Sequence, residues 1–120
     1  MTKIKNILSS TSFWMLNKAV VLELGVDVAL FLTDLSSRQD YWGMKGKLDR
    51  EGFFFIERSE IESETLLSPH KQLRATKTLV DLGLLQTKRV GIPPKNYYKL
   101  DSDKVNEFVL SVVHKCSPIG

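Results

Sequence analysis

The order of hydrophobic and polar positions predicts a series of short elements, beginning with two helices. Asn17 suits a helix N-cap, residues 18–24 have the pattern of a short apolar helix, and Gly25 suits its left-handed end. Asp27 is the predicted cap of a second helix. Residues 28–35 of that helix are apolar on almost every side, which is typical of a helix surrounded by protein.

The middle of the chain shows no sustained period until a short aromatic run. Residues 36–52 have mixed charge and three glycines, so they are predicted to hold the end of the second helix and a mobile connection. Residues 53–56, Phe-Phe-Phe-Ile, predict a brief buried strand. Ser59 and Glu62 have the spacing of a capping box, which predicts a short helix over residues 60–65.

The next elements are a proline-opened helix and a hairpin. Ser68, followed by a proline, predicts a helix over residues 69–82, which Gly83 ends. Residues 84–90 and 97–100 have strand character, and the Gly-Ile-Pro-Pro sequence between them predicts a stiff hairpin tip. The helix row that is predicted to face inward comprises Gln72, Ala75 or Thr76, Leu79 and Leu82.

A last helix is predicted to open at Asp101 or Ser102, and one of its faces is apolar along its whole length. This stripe either folds back on its own domain or pairs with the same stripe of a second chain. Pairing is the preferred interpretation, because so long an exposed stripe is unusual for a monomer. The predicted dimer interface consists of Val105, Phe108, Val109, Val112 and Val113.

Composition limits the class of protein. The chain has 120 residues, of which 42% are hydrophobic and 26% charged, so one compact domain with one core is expected. The single cysteine excludes an intramolecular disulfide and a thiol-rich metal site, and it favours a cytoplasmic location. The apolar run over residues 19–32 contains two acids, so no membrane span is predicted. Because no hydrolase, metalloprotease or nucleotide-binding motif occurs, no catalysis, metal, cofactor or small-molecule substrate is expected.

The net charge of +3 is small, but the charge is unevenly distributed. Residues 51–65 contain five glutamates and one arginine, whereas residues 68–99 contain seven Lys or Arg residues and one aspartate. The positive segment coincides with the proline-opened helix and the hairpin. A surface held against phosphates favours Lys and Arg over carboxylates, so this segment is the candidate nucleic-acid surface.

The order of the predicted elements is that of a winged helix-turn-helix domain. Two helices and a short strand precede a helix pair with a tight turn at residues 66–67, and a hairpin follows. The predicted fold is therefore mainly α with a small β-hairpin, with an extra N-terminal helix and a C-terminal helix. Its predicted parts are a tail over residues 1–12, the domain over 13–101, the C-terminal helix over 102–116 and a tail over 117–120.

In this fold, the second helix of the pair lies in the major groove and the hairpin, called the wing, contacts the backbone or the minor groove. Arg74 and Lys71 are the preferred base-edge or phosphate contacts, since Arg pairs with two acceptors of guanine and Lys acts as a point charge. The predicted DNA-binding residues are Ser68, His70, Lys71, Arg74, Lys77, Thr78, Lys88, Arg89, Lys95 and Asn96.

Three blocks of sequence carry a family resemblance: NKAVVLELGVDVALFLTDL, GFFFIERSEIESETLLSPHKQLRATKTLVDLGLLQT and GIPPKNYYKL. Over residues 13–101 the chain resembles the winged-helix module of phage replisome organisers and DnaD-like replication-initiation proteins of Gram-positive bacteria and their phages. The most specific part is a helix ending in Leu-Gly-Leu-Leu that leads to Gly-Ile-Pro-Pro-Lys-x-Tyr-Tyr. The resemblance implies binding of duplex DNA or a scaffold for replication proteins, without catalysis; a small transcriptional regulator stays open beside it.

Three carboxylates favour an alternative. Glu60, Glu62 and Glu64 would repel phosphates if they faced the same side as Arg74. In that case the domain is better interpreted as an adaptor that binds a protein partner through these acids and the C-terminal stripe. The side to which the glutamates point therefore decides between the two hypotheses.

Overall fold

The structure is a computed structural model that describes residues 14–116. Its described elements are α1 (Lys18–Leu24), α2 (Val26–Met44), β1 (Phe54–Phe55), α3 (Arg58–Thr65), α4 (Pro69–Asp81), β2 (Leu85–Val90), β3 (Lys95–Leu100) and α5 (Ser102–Cys116). The three strands form one antiparallel sheet in the order β1-β3-β2. This mainly helical α+β arrangement confirms the predicted winged-helix fold class. The predicted tails, residues 1–12 and 117–120, lie outside the described residues.

Two of the predicted helix starts are confirmed by their capping bonds. Asn17 Oδ1 accepts hydrogen bonds from the amides of Ala19 and Val20, at 2.9 and 3.2 Å. Ser68 Oγ accepts one from the amide of Lys71 at 3.2 Å. Each cap satisfies amides that have no acceptor inside the first turn of the helix, so the local sequence alone is enough to fix these starts.

Two other predicted caps are wrong. The second helix begins at Val26 with Gly25 in the cap position, so Asp27 lies inside the first turn. The predicted capping box at Ser59 does not form, because α3 begins one residue earlier and Glu57 occupies the cap position without a side-chain cap bond. Ser59 Oγ instead lies 3.5 Å from Glu57 Oε2.

Helix α2 is much longer than its apolar pattern predicts, and it continues to Met44. Its inward row is continued by polar side chains at helical spacing. Arg38 is largely buried, and Gln39 hydrogen-bonds both backbone groups of Leu100, at 2.7 and 3.1 Å. The helix persists because tertiary contacts replace the missing apolar residues.

The connection after α2 is a structured turn rather than the predicted mobile segment. Asp49 Oδ1 accepts hydrogen bonds from the amides of Glu51 and Phe53, both at 2.9 Å. The backbone amide of Asp49 also donates to the carbonyl oxygen of Phe53 at 2.9 Å. A carboxylate that accepts nearby amides in this way stabilises a turn without any regular structure. The chain therefore enters β1 in a fixed position.

The core lies between the helices and one face of the sheet. Its fully buried side chains include Phe31, Leu35, Phe54, Ile61 and Leu79. The helix row predicted for α4 is confirmed at Gln72, Ala75 and Leu79, which are buried. Leu82 was predicted to continue this row and is 44% exposed, because α4 ends at Asp81 before the row returns to the core.

The turn between α3 and α4 is held by one amide side chain. Gln72 is buried, and its Nε2 donates to the carbonyl oxygens of Leu67 and Arg58, at 2.8 and 3.0 Å. Thr65 Oγ1 accepts the amide of Leu67 at 3.1 Å, while Leu66 adopts a left-handed conformation. These bonds fix α4 relative to α3, which is the geometry that a helix-turn-helix motif requires.

Helix α5 packs on its own domain. Val112 is buried, and Val105, Phe108 and Val109 are partly buried against the core, while Val113 is 41% exposed. Asp101 caps this helix through the amide of Lys104 at 3.1 Å. The exposed stripe on which the dimer prediction depended is therefore not present, and the alternative, folding back, is what the structure has. A dimer through these five residues stays a prediction.

Candidate nucleic-acid interface

Helix α4 presents a polar face away from the core. Because Gln72, Ala75 and Leu79 point inward, helical geometry directs the remaining positions outward. His70, Lys71, Arg74 and Lys77 are exposed, and Ser68 and Thr78 are partly exposed. The six residues that were predicted to bind DNA on this helix are thus accessible as a group.

Lys71, Arg74 and Thr78 line a cleft between α4 and the junction of α1 with α2. The opposite wall of the cleft consists of Leu24, Gly25, Val26, Asp27 and Val28. The wall includes the first turn of α2, where backbone amides have no partner inside the helix and carry partial positive charge. No pattern in the sequence places the start of α2 beside α4, so this wall could not be predicted.

The cations of α4 are weakly paired. Lys77 Nζ lies 3.4 Å from Asp81 Oδ2, in an ion pair whose side chains are more than 60% exposed. Lys71 Nζ lies 4.0 Å from Asp27 Oδ2, and both side chains are 52% exposed. Within residues 14–116, Arg74 has no carboxylate oxygen within 4.0 Å. Exposed pairs of this kind contribute little and are readily exchanged for phosphate.

Two of the three glutamates of helix α3 are directed at α2. Arg38 Nε lies 2.7 Å from Asp34 Oδ2, and Arg38 Nη1 lies 3.2 Å from Glu60 Oε2. Arg38 Nη2 lies 3.3 Å from Glu64 Oε1, although not in hydrogen-bonding geometry. Glu62 is exposed. Arg38 of α2 therefore forms ion pairs with two of the three glutamates that argued against DNA binding.

The arginine of this acidic cluster is strongly held. Burial lowers the pKa of Arg38, but the hydrogen bond from Arg38 to Asp34 and the charges of Asp34, Glu64 and Glu60 raise it, so that the net direction is upward. Trp14 Nε1 also donates to Asp34 Oδ1 at 3.2 Å. From Asp27 to Arg38 the axis of α2 rises by about 16 Å, so this cluster and the cleft lie at well-separated levels of one helix.

The sheet register divides the four predicted wing residues between two faces. Arg89 pairs with Asn96, and both share the side of Leu85, Tyr98 and Leu100, which packs toward the helices. Lys88 and Lys95 alternate with them and point to the other side. Only Arg89 and Asn96 therefore lie on the face of the wing that is turned toward α4.

Lys88 is the most strongly paired of the predicted DNA contacts. Its Nζ lies 2.7 Å from both Asp49 Oδ2 and Glu51 Oε1, and 4.4 Å above the ring of Phe53. Hydrogen bonds to Asp49 and then Glu51 raise the pKa of Lys88. The hydrogen bond from Lys88, with that from the Phe53 amide, lowers the pKa of Asp49. No local pattern links Lys88 to a turn residue 37 positions away, so this pairing could not be predicted from the sequence.

Neither a metal-binding cluster nor a membrane-spanning helix occurs in the described range. Residues 14–116 contain no group of three or more His, Cys, Asp or Glu side chains that could hold a metal ion. None of the helices within these residues combines the length and the apolar character needed to cross a membrane.

Comparisons with known proteins give one informative match. No protein-family model matches the chain, and no curated protein sequence matches it. A solved structure described as the N-terminal domain of a DNA-binding protein has the same fold, with a TM-score of 0.62 and 17% sequence identity. The match covers 90% of this chain and 91% of that chain. At this identity the likeness establishes the fold.

Proposed function

We propose that this chain is a non-catalytic domain that binds duplex DNA, with α4 in the major groove and the Arg89 side of the wing against the backbone. Lys71 and Thr78 contact phosphates, and Arg74 reaches a base edge. The described DNA-binding protein of the same fold supports this class of function. Such a domain works where DNA is found, which in a bacterium is the cytoplasm.

The observation that carries the proposal is the separation of charge along α2. Glu60 and Glu64 are bound to Arg38, while Arg74 has no carboxylate within 4.0 Å in the described part of the chain. A phosphate backbone that approaches α4 therefore meets cations whose ion pairs are weak and exposed, and these pairs are easily broken. Two of the three glutamates are thus held by α2 away from the cleft, which supports the proposal, whereas Glu62 is exposed.

At a finer level, we propose a role in replication initiation or organisation in a phage or mobile element, or as a small regulator of transcription. The family resemblance over residues 13–101 supports replication, and replication proteins are then expected partners. A homodimer would place two α4 helices about one DNA turn apart. Because α5 packs on its own core, such a dimer needs a contact beyond the buried part of α5.

The direct test is a fluorescence-anisotropy titration against duplex DNA over a range of salt concentrations. Engagement of Lys71, Arg74, Lys77 and Arg89 predicts a slope of log K against log salt of about −3.6. Arg74→Ala is expected to weaken binding by about 1–3 kcal/mol if Arg74 reads a base. Lys88→Ala is the matched control, since Lys88 is already bound to two carboxylates, and its affinity should stay near that of the original protein.

Exposed apolar residues on α4 favour the second candidate, an adaptor that binds a protein. Leu73 and Val80 are 48% and 42% exposed, and they lie on the flank of α4 away from Arg74 by helical geometry. A protein partner would cover this flank, whereas DNA would leave it in water. A flat salt response, together with unchanged binding in Arg74→Ala, would contradict duplex binding and favour the adaptor.

A further inference from the structure

The side of the sheet that faces away from the helices has its own chemistry. Phe55, Tyr97 and Lys88 form one row across the three strands, next to the row of Phe54, Tyr98 and Thr87 on the helix side of the sheet. The rings of Phe55 and Tyr97 are 5.7 Å apart and inclined by 44°. Both side chains are partly exposed. We call Phe55, Tyr97, Lys95 and Lys99 the reverse face.

Lysines lie over the aromatic rings of this side. Lys95 Nζ is 5.1 Å from the ring centre of Phe55, and Lys88 Nζ is 5.7 Å from that of Tyr97. Lys99 Nζ is 5.8 Å from the ring of Phe53, which is buried beneath it. In the described residues, Lys95 and Lys99 have no carboxylate oxygen within 4.0 Å, in contrast with Lys88. Two cations beside two aromatic rings therefore remain available to an anionic ligand.

We infer that the reverse face binds single-stranded nucleic acid. An unstacked base would take the place of Lys95 Nζ over Phe55, beside Tyr97, because every base has a flat π-face that stacks on an aromatic side chain. Lys95 and Lys99 then hold the neighbouring phosphates. A duplex does not meet these conditions, since its bases are already stacked and paired with one another. The aromatic pair favours a nucleic acid over an acidic peptide, because an acidic peptide would bind through the lysines alone.

The acids near the reverse face limit the path that a bound nucleic-acid strand can take. Asp49 and Glu51 both reach Lys88, so carboxylates occupy the end of the face that adjoins the turn over residues 49–53. Lys99 lies beside Gly52 of this turn, so a path for phosphates begins next to these acids and leads along β3 past Tyr97 to Lys95, toward the wing tip. Since Tyr98 and Leu100 point to the core, this surface lies on the opposite side of the sheet from α4, and the inference does not depend on duplex binding.

The test is an anisotropy titration of the full chain with a dye-labelled single strand of mixed sequence, in parallel with a duplex. Tyr97→Thr keeps a strand-forming residue and removes the ring, and it is expected to weaken single-strand binding at least about fivefold. Its duplex affinity should stay within about twofold, and Arg74→Ala should show the reverse pattern. Equal single-strand affinity of Tyr97→Thr and the original protein would overturn the inference.

A second measurement keeps the test valid if Tyr97→Thr does not fold. The double variant Lys95→Gln, Lys99→Gln changes only cations, and its single-strand affinity should depend less on salt, by about 1.4 in slope. Photocross-linking of a strand that contains 5-iodouracil, followed by mass spectrometry, should identify Tyr97 or Phe55. Cross-links confined to α4, or full displacement of the strand by polyglutamate at equal charge, would overturn stacking on this face.

Discussion

The two ends of α2 use charge in opposite ways. Near its C-terminal half, Arg38 is largely buried and binds Asp34, Glu60 and Glu64. At its start, Asp27 lies at the edge of the cleft and reaches Lys71 only at 4.0 Å. The first arrangement joins α2 to α3, whereas the second leaves a cation of α4 open to a ligand. Charges that are indistinguishable in a sequence thus divide into structural and ligand-binding groups according to their burial.

The largest expected effect concerns the Arg38 cluster in the C-terminal half of α2. Arg38→Met should lower the free energy of unfolding by about 3 kcal/mol, because it leaves the buried carboxylate of Asp34 without its cation. Urea denaturation measures this difference. The double variant Glu60→Gln, Glu64→Gln is the control, and it should cost at most about 1 kcal/mol, since both glutamates are more than half exposed. An equal loss in both variants would contradict the assigned role of burial.

The next effect tests the ligand-binding end. Lys71→Gln should make the salt slope of duplex binding shallower by about 0.9, which corresponds to one lost phosphate contact. Lys45→Gln is the matched control, because Lys45 is exposed just beyond the other end of α2. If the two variants changed the slope equally, the cations would act through net charge and not through their positions.

A smaller effect concerns the acid beside Lys71. Asp27→Asn should strengthen duplex binding by less than about 1 kcal/mol, since an exposed competitor for Lys71 disappears. The loss of a carboxylate from the first turn of α2 should at the same time lower stability slightly. Glu64→Gln provides the comparison in the anisotropy assay. Its affinity should not change, because Glu64 is turned toward Arg38, and a gain as large as that of Asp27→Asn would place α3 beside the DNA.

The smallest effect is a pH dependence. The folded pKa of Asp49 is lowered, so its contribution to stability is present above the unfolded pKa and is lost as the pH falls through the folded pKa. Lys88→Met should therefore make the acid side of the stability curve less steep below about pH 4. Urea midpoints at several pH values measure this change. An unaltered curve would mean that the pKa of Asp49 is lowered by the amides of Phe53 and Glu51 and not by Lys88.

The sequence predicted most of the fold because local signals agree with tertiary packing. Asn17, Ser68 and Gly83 set helix limits through capping and a left-handed backbone, which need no distant partner. The length of α2 escaped prediction, because its second half is held by contacts of Arg38 with Glu60 and of Gln39 with Leu100, which are 22 and 61 residues away. An apolar period cannot reveal a polar residue that becomes buried only in the folded chain.

The part of the candidate site that depends on local geometry was predicted, and the part that depends on distant contacts was not. Helical geometry places Lys71, Arg74 and Lys77 outward from a row that the sequence shows. Strand alternation could have separated Arg89 from Lys88, but only the register with β3 shows which of them faces the helices. The pairing of Lys88 with Asp49 depends on a turn whose position no local pattern contains.

The side chain of Gln39 has a consequence for the motion of the wing. Its amide binds both the N–H and the C=O of Leu100, so the base of the hairpin is fastened to α2. The tip at residues 91–94 is exposed. Hydrogen exchange should therefore be slow at the Leu100 amide and become progressively faster along β3 toward Lys95. Thermal opening of the hairpin would begin at the tip and end at the hydrogen bonds between Gln39 and Leu100. The tip of the wing therefore moves while its base stays fixed to α2.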